Sequence, residues 1–128
     1  MKKLLPLSLF LFASIVLAGC QSKHQEGVTS DYRAQWMSVN ADTTTSTEAA
    51  RAVLADEGLK DIQASSTNVD GRVTGKKADN TQVTVTIKKQ TDTTSQVSVV
   101  VGTVGQPALG AELARKIKDR VEGSMKTR

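Results

Sequence analysis

Gln82-Val-Thr-Val-Thr-Ile-Lys88 decides the fold. Val83, Val85 and Ile87 alternate with polar neighbours, the period of a strand with one face buried and one in water. Val97, Val99 and Val101 repeat the pattern after a polar loop over 91–95. Pairing Val85 with Val99 sets Val83, Val85 and Ile87 beside Val101, Val99 and Val97, so the apolar side chains share one face. Upstream, Val73 and Gly75 lie on a strand that turns through Ala78-Asp-Asn-Thr81, with Val85 expected beside Gly75 and Val83 beside Lys77. Before it, Asp70-Gly71 is a two-residue hairpin signal, and Ile62, Ala64 and Ser66 alternate as the first strand of a four-strand meander.

The flanks supply the second layer. Gln35-Trp-Met-Ser-Val-Asn-Ala41 is expected as a preceding strand with Met37, Val39 and Ala41 inward. Trp36 is expected to pack at the edge of the core, with a place on a partner surface as the alternative. Thr45-Ser-Thr-Glu48 has the spacing of a capping box, which predicts a helix from there to about Glu57, stopped by Gly58. Its inward stripe is Ala49, Ala50, Val53 and Leu54. Pro107 suits the first position of a closing helix, predicted to run to about Glu122 before Gly123 and a basic tail. Leu109, Leu113, Ile117 and Val121 form its stripe, with Gly110 and Ala114 alongside. Glu112–Lys116, Arg115–Asp119 and Lys118–Glu122 are spaced as i,i+4 pairs on its wet faces. One apolar sheet face and two one-sided helices must share a core. The expected fold is α+β: an antiparallel meander of four or five strands with two helices packed on one face.

The chain begins with Met1-Lys2-Lys3 and an apolar run from Leu4 to Ala18. About 15 residues is shorter than the ~20 a spanning helix needs and suits an export signal. The run ends in Leu17-Ala18-Gly19-Cys20, which resembles the lipobox of bacterial lipoproteins. That resemblance implies cleavage between Gly19 and Cys20, a diacylglycerol on the Cys20 sulfur and usually an N-acyl chain such as palmitate. Two or three chains, at about 0.8 kcal/mol per buried methylene, make a lasting anchor. Gln21 and Ser22 follow where an aspartate usually marks inner-membrane retention, so the resemblance implies the outer membrane, on either side of it. The expected organisation is a signal over 1–19, lipidated Cys20 with a flexible tether to 31, one domain over 32–123 and a basic tail over 124–128. Removing 19 of 128 residues leaves 109, room for a single two-layer core.

Composition narrows the function classes. The precursor carries 17 basic and 13 acidic residues; without Lys2 and Lys3 the 17 fall to 15, a net of +2. That is too small an excess for a dedicated nucleic-acid binder. Phe10 and Phe12 lie in the leader, leaving Tyr32 and Trp36, too few rings for single-strand stacking. Cys20 is the single cysteine, so the fold holds without disulfides. His24, the single histidine, falls in the tether without ligand partners in sequence. Asp56, Glu57, Asp61, Asp70, Asp79 and Asp92 fall at helix ends and turns, so no catalytic carboxylate pair is expected. Gly102-Thr-Val-Gly105 precedes a helix but lacks the lysine and hydroxyl of a phosphate loop, and is read as a tight turn. No catalytic, metal or cofactor residues are expected. Arg72, Lys76 and Lys88 fall on the outer sheet face, where they either keep it soluble or meet headgroups, lipopolysaccharide phosphates or an acidic partner.

The stretches Ala52-Val-Leu-Ala-Asp-Glu-Gly-Leu59, Gly71-Arg-Val-Thr-Gly-Lys-Lys-Ala-Asp-Asn-Thr-Gln-Val-Thr-Val-Thr-Ile87 and Val99-Val-Val-Gly-Thr-Val-Gly105 resemble a family of small bacterial lipoproteins built around a domain of unknown function. The resemblance implies a helix-on-sheet fold of helix-grip character, distantly similar to lipoproteins of barrel-assembly machinery, and brings no catalytic residues. Two function classes follow. One is a non-catalytic outer-membrane lipoprotein that binds an envelope protein or maintains the envelope. The alternative is a carrier of a small apolar ligand between sheet and helices, motivated by the small residues Ala49, Ala50, Ala64, Gly75 and Gly110.

Overall fold

The computed structural model describes residues 29–30 and 34–126. The expected signal, Cys20 and His24 lie outside the described residues. The elements are β1 (Thr29–Ser30), β2 (Gln35–Val39), α1 (Thr43–Asp56), β3 (Lys60–Ser66), β4 (Asp70–Lys76), β5 (Gln82–Lys89), β6 (Ser95–Val101) and α2 (Pro107–Lys126). This is the expected α+β order of strand, helix, four strands and helix, with β1 added at one edge. Five full strands and the two-residue β1 form an antiparallel sheet in the order β1-β2-β6-β5-β4-β3. The meander β3 to β6 returns beside β2, and α1 carries the chain across the whole sheet between them. β1 closes on β2 through Thr29 opposite Trp36, at the end of the stretch expected as tether.

Both helices lie on one face, α1 over β3, β4 and β5 and α2 over β2 and β6, with the two helices touching. Val73, Val83, Val85, Ile87, Val97, Val99 and Val101 point into this layer and are almost wholly buried. Ala49, Ala50, Val53 and Leu54 meet them from α1, and Leu113, Ala114, Ile117 and Val121 from α2. Leu109 is half-buried at the start of that stripe.

Several local expectations are corrected. α1 starts earlier than the capping box: Asp42 is its cap, with Oδ1 accepting from the Thr45 amide at 2.7 Å. That turn buries Thr43, Ser46 and Thr47. Thr43 donates to the Thr67 carbonyl at 2.6 Å, tying the helix start to the β3–β4 turn. Gly58, at φ +79°, ends the helix as expected. Asp70-Gly71 is not the hairpin turn but the start of β4; the turn is Thr67-Asn68-Val69, closed by the Thr67 amide on the Asp70 carbonyl at 2.8 Å. The glycine answers a different need. A Cβ on Gly71 would stand 2.0 Å from Thr47 Oγ1, so α1 approaches the sheet where only a hydrogen fits.

Val85 pairs with Val99 as expected, but on its other side it pairs with Val73, and Val83 with Gly75. The expected register is displaced by two residues, which leaves every side chain on its expected face. Asp79 Oδ1 accepts from the Thr81 amide and Asn80 takes φ +66°, fixing the turn one position earlier. In β3, the edge strand of the sheet, Ala64 and Ser66 are exposed and Ile62 is half-buried. Ala41 is buried but lies beyond the end of β2. α2 continues through Gly123 to Lys126, taking in the start of the expected tail. Trp36 is not part of the core: with Gln35, Met37 and Val39 buried, the alternation turns it to the opposite face, half-buried.

Candidate functional site

The open sheet face carries the cations singled out in the sequence. On β4, Val73 and Gly75 are buried while Arg72 and Lys76 are exposed, and on β5 the alternation turns Lys88 to the same side. The registers assemble this face into rows. One runs Trp36, Ser98, Thr86, Arg72 and Ser65 across β2, β6, β5, β4 and β3. Beyond the intervening row of Thr84, Thr74 and Gln63, a third row holds Gln82, Lys76 and Lys60. Ser98 is only 4% exposed on this solvated face, and the adjacent Trp36 is the large side chain in register to cover it.

Lys60 is a member the sequence reading missed. β3 shifts register between Lys60 and Gln63, and Asp61 there takes φ +53°. The irregularity reverses the alternation, so Lys60 lies opposite Lys76 rather than on the inward side that Ile62 and Ala64 imply. Two lysines directly opposed across strands repel. None of Lys60, Arg72, Lys76 and Lys88 forms a salt bridge among the described residues. Two acids share this neighbourhood: Asp61 lines a groove with Lys76 and Gln82, and Asp70, in register opposite Lys88, accepts from the Thr67 hydroxyl at 2.7 Å. A groove of about 340 Å³ follows the face past Arg72, Thr86 and Lys88.

The helical side is arranged differently. Asp56 and Glu57 crowd the C-terminal end of α1, where a helix disfavours negative charge, and α2 answers with Arg120 on Asp56 and Lys116 on Glu57. Lys116 also bonds Glu112 at 3.0 Å, and Lys118 approaches Glu122 at 3.8 Å. Lys116 is held above the ordinary lysine range by its bonds to Glu57 and then Glu112. Asp42 is held below the ordinary aspartate range by the Thr45 backbone N–H, Asp79 by its bonds from Thr81, and Asp92 by Lys89. Each of these groups caps, turns or pairs on the surface. No cluster of three or more metal-ligating side chains occurs among the described residues.

Gly102 and Gly105 take φ +72° and +83°, the geometry of a sharp strand-to-helix turn. The small inward residues are occupied positions. Leu59 and Ile62 stand 3.2–3.4 Å from where a Gly75 Cβ would be, and Gln35 stands 3.0 Å from that of Gly110. Ala50 and Ala114 are fully buried, and Ala64, opposite the inward Val73, is exposed at the sheet edge. At the end of the sandwich a recess of about 210 Å³ lies between Leu59, Val83, Leu109 and Leu113. Ligand pockets commonly run to about 300–1,000 Å³. No helix of the described residues is long and apolar enough to cross a membrane.

Fold and surface together define a small two-layer α+β protein with a closed helical side and an open, basic sheet face. The chain belongs to DUF3568, a family of proteins of unknown function, whose profile matches residues 3–120. No curated protein matches it.

Proposed function

We propose that the chain is a lipid-anchored envelope protein whose folded domain acts by binding rather than catalysis. The leader over 1–19 is removed, Cys20 carries the diacylglycerol and N-acyl chains, and Gln21-Ser22 directs the product to the outer membrane. The observation that carries this reading is Leu17-Ala18-Gly19-Cys20 at the end of an apolar run that begins just after Lys2-Lys3. The family match begins at residue 3, so this segment lies inside the shared length. Thr29 is nine residues beyond Cys20, which lets the domain stand at most ~30 Å from its anchor at about 3.3–3.6 Å per residue. The apolar-ligand carrier is the less supported reading, because side chains fill the positions above Gly75 and Gly110 and the recess beside Leu59 and Leu109 holds about 210 Å³, below the usual ligand pocket of about 300–1,000 Å³.

Replacement of Cys20 by serine tests the anchor. The expected outcome is accumulation of the uncleaved precursor and loss of palmitate labelling. Normal processing and unchanged membrane partition would refute it. The binding role is tested by crosslinking in intact envelopes. Recovery of no specific protein above an unrelated domain held by the same lipid anchor would count against it.

A further inference from the structure

We propose that the open sheet face lies against the anionic headgroup surface of the bilayer that holds the anchor, with Lys60, Arg72, Lys76 and Lys88 on headgroup phosphates and Trp36 at headgroup level. The inference rests on the lipid anchor proposed above and adds an orientation to it. Charge distribution is the first support. Among the described residues of the helical side, Arg51, Lys116, Lys118 and Arg120 each have a carboxylate partner and only Arg115, whose expected pair with Asp119 does not form, lacks one, whereas none of the four cations of the sheet face forms a salt bridge. Two acids lie near them, Asp70 in register opposite Lys88 and Asp61 in one groove with Lys76, so the four cations keep a net positive excess. Lys60 and Lys76 stand opposite one another in register, an arrangement that an intervening phosphate relieves. The face is polar between the cations, with Thr74, Thr84 and Thr86 half-buried, so it suits a hydrated headgroup layer rather than an apolar partner.

The second support is where the chain enters. β1 adds to the sheet beside Trp36, so the segment leading back to Cys20 reaches the domain at the Trp36 edge of this face. A tether of that reach allows the sheet to lie flat on its own leaflet. An indole prefers the water–headgroup boundary, where its ring is apolar and its N–H is satisfied. Basic residues within a Debye length, about 8 Å at physiological salt, are attracted to an anionic leaflet.

Trp36 is the one tryptophan of the chain and so reports its own environment. The lipidated protein is reconstituted in vesicles of phosphatidylcholine alone or with phosphatidylglycerol, and Trp36 emission and its quenching by brominated lipids are read. Docking predicts a blue shift and quenching in the anionic vesicles only, reversed by high salt and lost in the Arg72→Glu/Lys88→Glu variant. Lys60→Gln/Lys76→Gln, at exposed positions, should weaken the same response, and each variant is compared at matched circular dichroism. Identical Trp36 signals in the two lipids overturn the proposal. So does a response that follows protein density instead of lipid charge, which would mean that a second copy covers the face. Flotation keeps the two readings apart: protein that floats with anionic vesicles but shows no Trp36 response refutes the docking alone, and protein that does not float with either vesicle refutes the anchor.

Discussion

Replacing Gly71 with alanine places a methyl where α1 meets β4. Its carbon would stand 2.0 Å from Thr47 Oγ1 and 3.4 Å from Thr47 Cβ, so the conflict is with the hydroxyl alone. That hydroxyl is not free to swing, because it donates to the Thr43 carbonyl at 2.6 Å and the side chain is buried. Turning it away breaks a bond worth about 1 kcal/mol; keeping it forces the helix off the sheet, an overpacking cost of about 1–3 kcal/mol. Removing a glycine from a strand returns about 0.5–1 kcal/mol. The net expectation for Gly71→Ala is a loss of about 1 kcal/mol. At about 4–8 °C per kcal/mol for a domain of this size, that is a fall in Tm of the same 4–8 °C. Thr47→Ala removes the obstructing oxygen, so the double variant should regain at least half of the loss, a coupling of about 0.5 kcal/mol or more. Urea and thermal denaturation of the four proteins measure the cycle. Strict additivity, or a harmless Gly71→Ala, would refute the close approach of helix and sheet.

Ser46 Oγ is buried with no hydrogen-bond partner, so Ser46→Ala should leave stability unchanged or raise it by up to about 1 kcal/mol in urea titration. Asp42→Ala should cost about 1 kcal/mol through loss of the helix cap. The folded pKa of Asp42 is depressed, so its contribution is present above the ordinary aspartate value of 3.8 and fades as pH falls through the lower folded value. The difference in midpoint between wild type and Asp42→Ala should therefore shrink in strongly acid buffer, whereas a constant gap would show that charge has no part in the cap. Ile87→Ala, at a fully buried position opposite Val97, should cost about 2–5 kcal/mol. A loss below 1 kcal/mol would place Ile87 outside the core.

The sheet core was legible because its valines alternate, and parity survives error. The β4–β5 register is two residues from the expected one, yet Val73, Val83 and Val85 still face inward. Helix stripes were legible for the same reason, since Ala50, Leu54, Ile117 and Val121 repeat at helical spacing. Local punctuation was less so. Asp42 and Thr45 are both capping residues three apart, and sequence does not rank them; the earlier one prevails because its turn also buries Thr43 and Thr47. Gly71 beside Asp70 carries the signature of a turn, but its small size serves a contact with Thr47, far away in sequence. Gly123 did not stop α2, because its neighbours keep the helix continuous through an otherwise exposed position.

The surface was half legible. Arg72, Lys76 and Lys88 follow from the parity of their neighbours. Lys60 does not, because a register shift beside Asp61 reverses the count, and nothing in the local composition marks it. Trp36 was within reach: the inward Met37 and Val39 already turn it outward, and the attraction of a large apolar ring to the core outweighed that count. The leader and Cys20 depend on a short motif whose meaning is chemical rather than conformational.

Intact-mass measurement of the protein extracted from membranes tests the anchoring claim most directly. The account predicts a chain that begins at Cys20 and exceeds the peptide mass by a diacylglycerol and a fatty acyl group, both on that residue. A mature chain that begins elsewhere, or an unmodified Cys20 thiol, would contradict it.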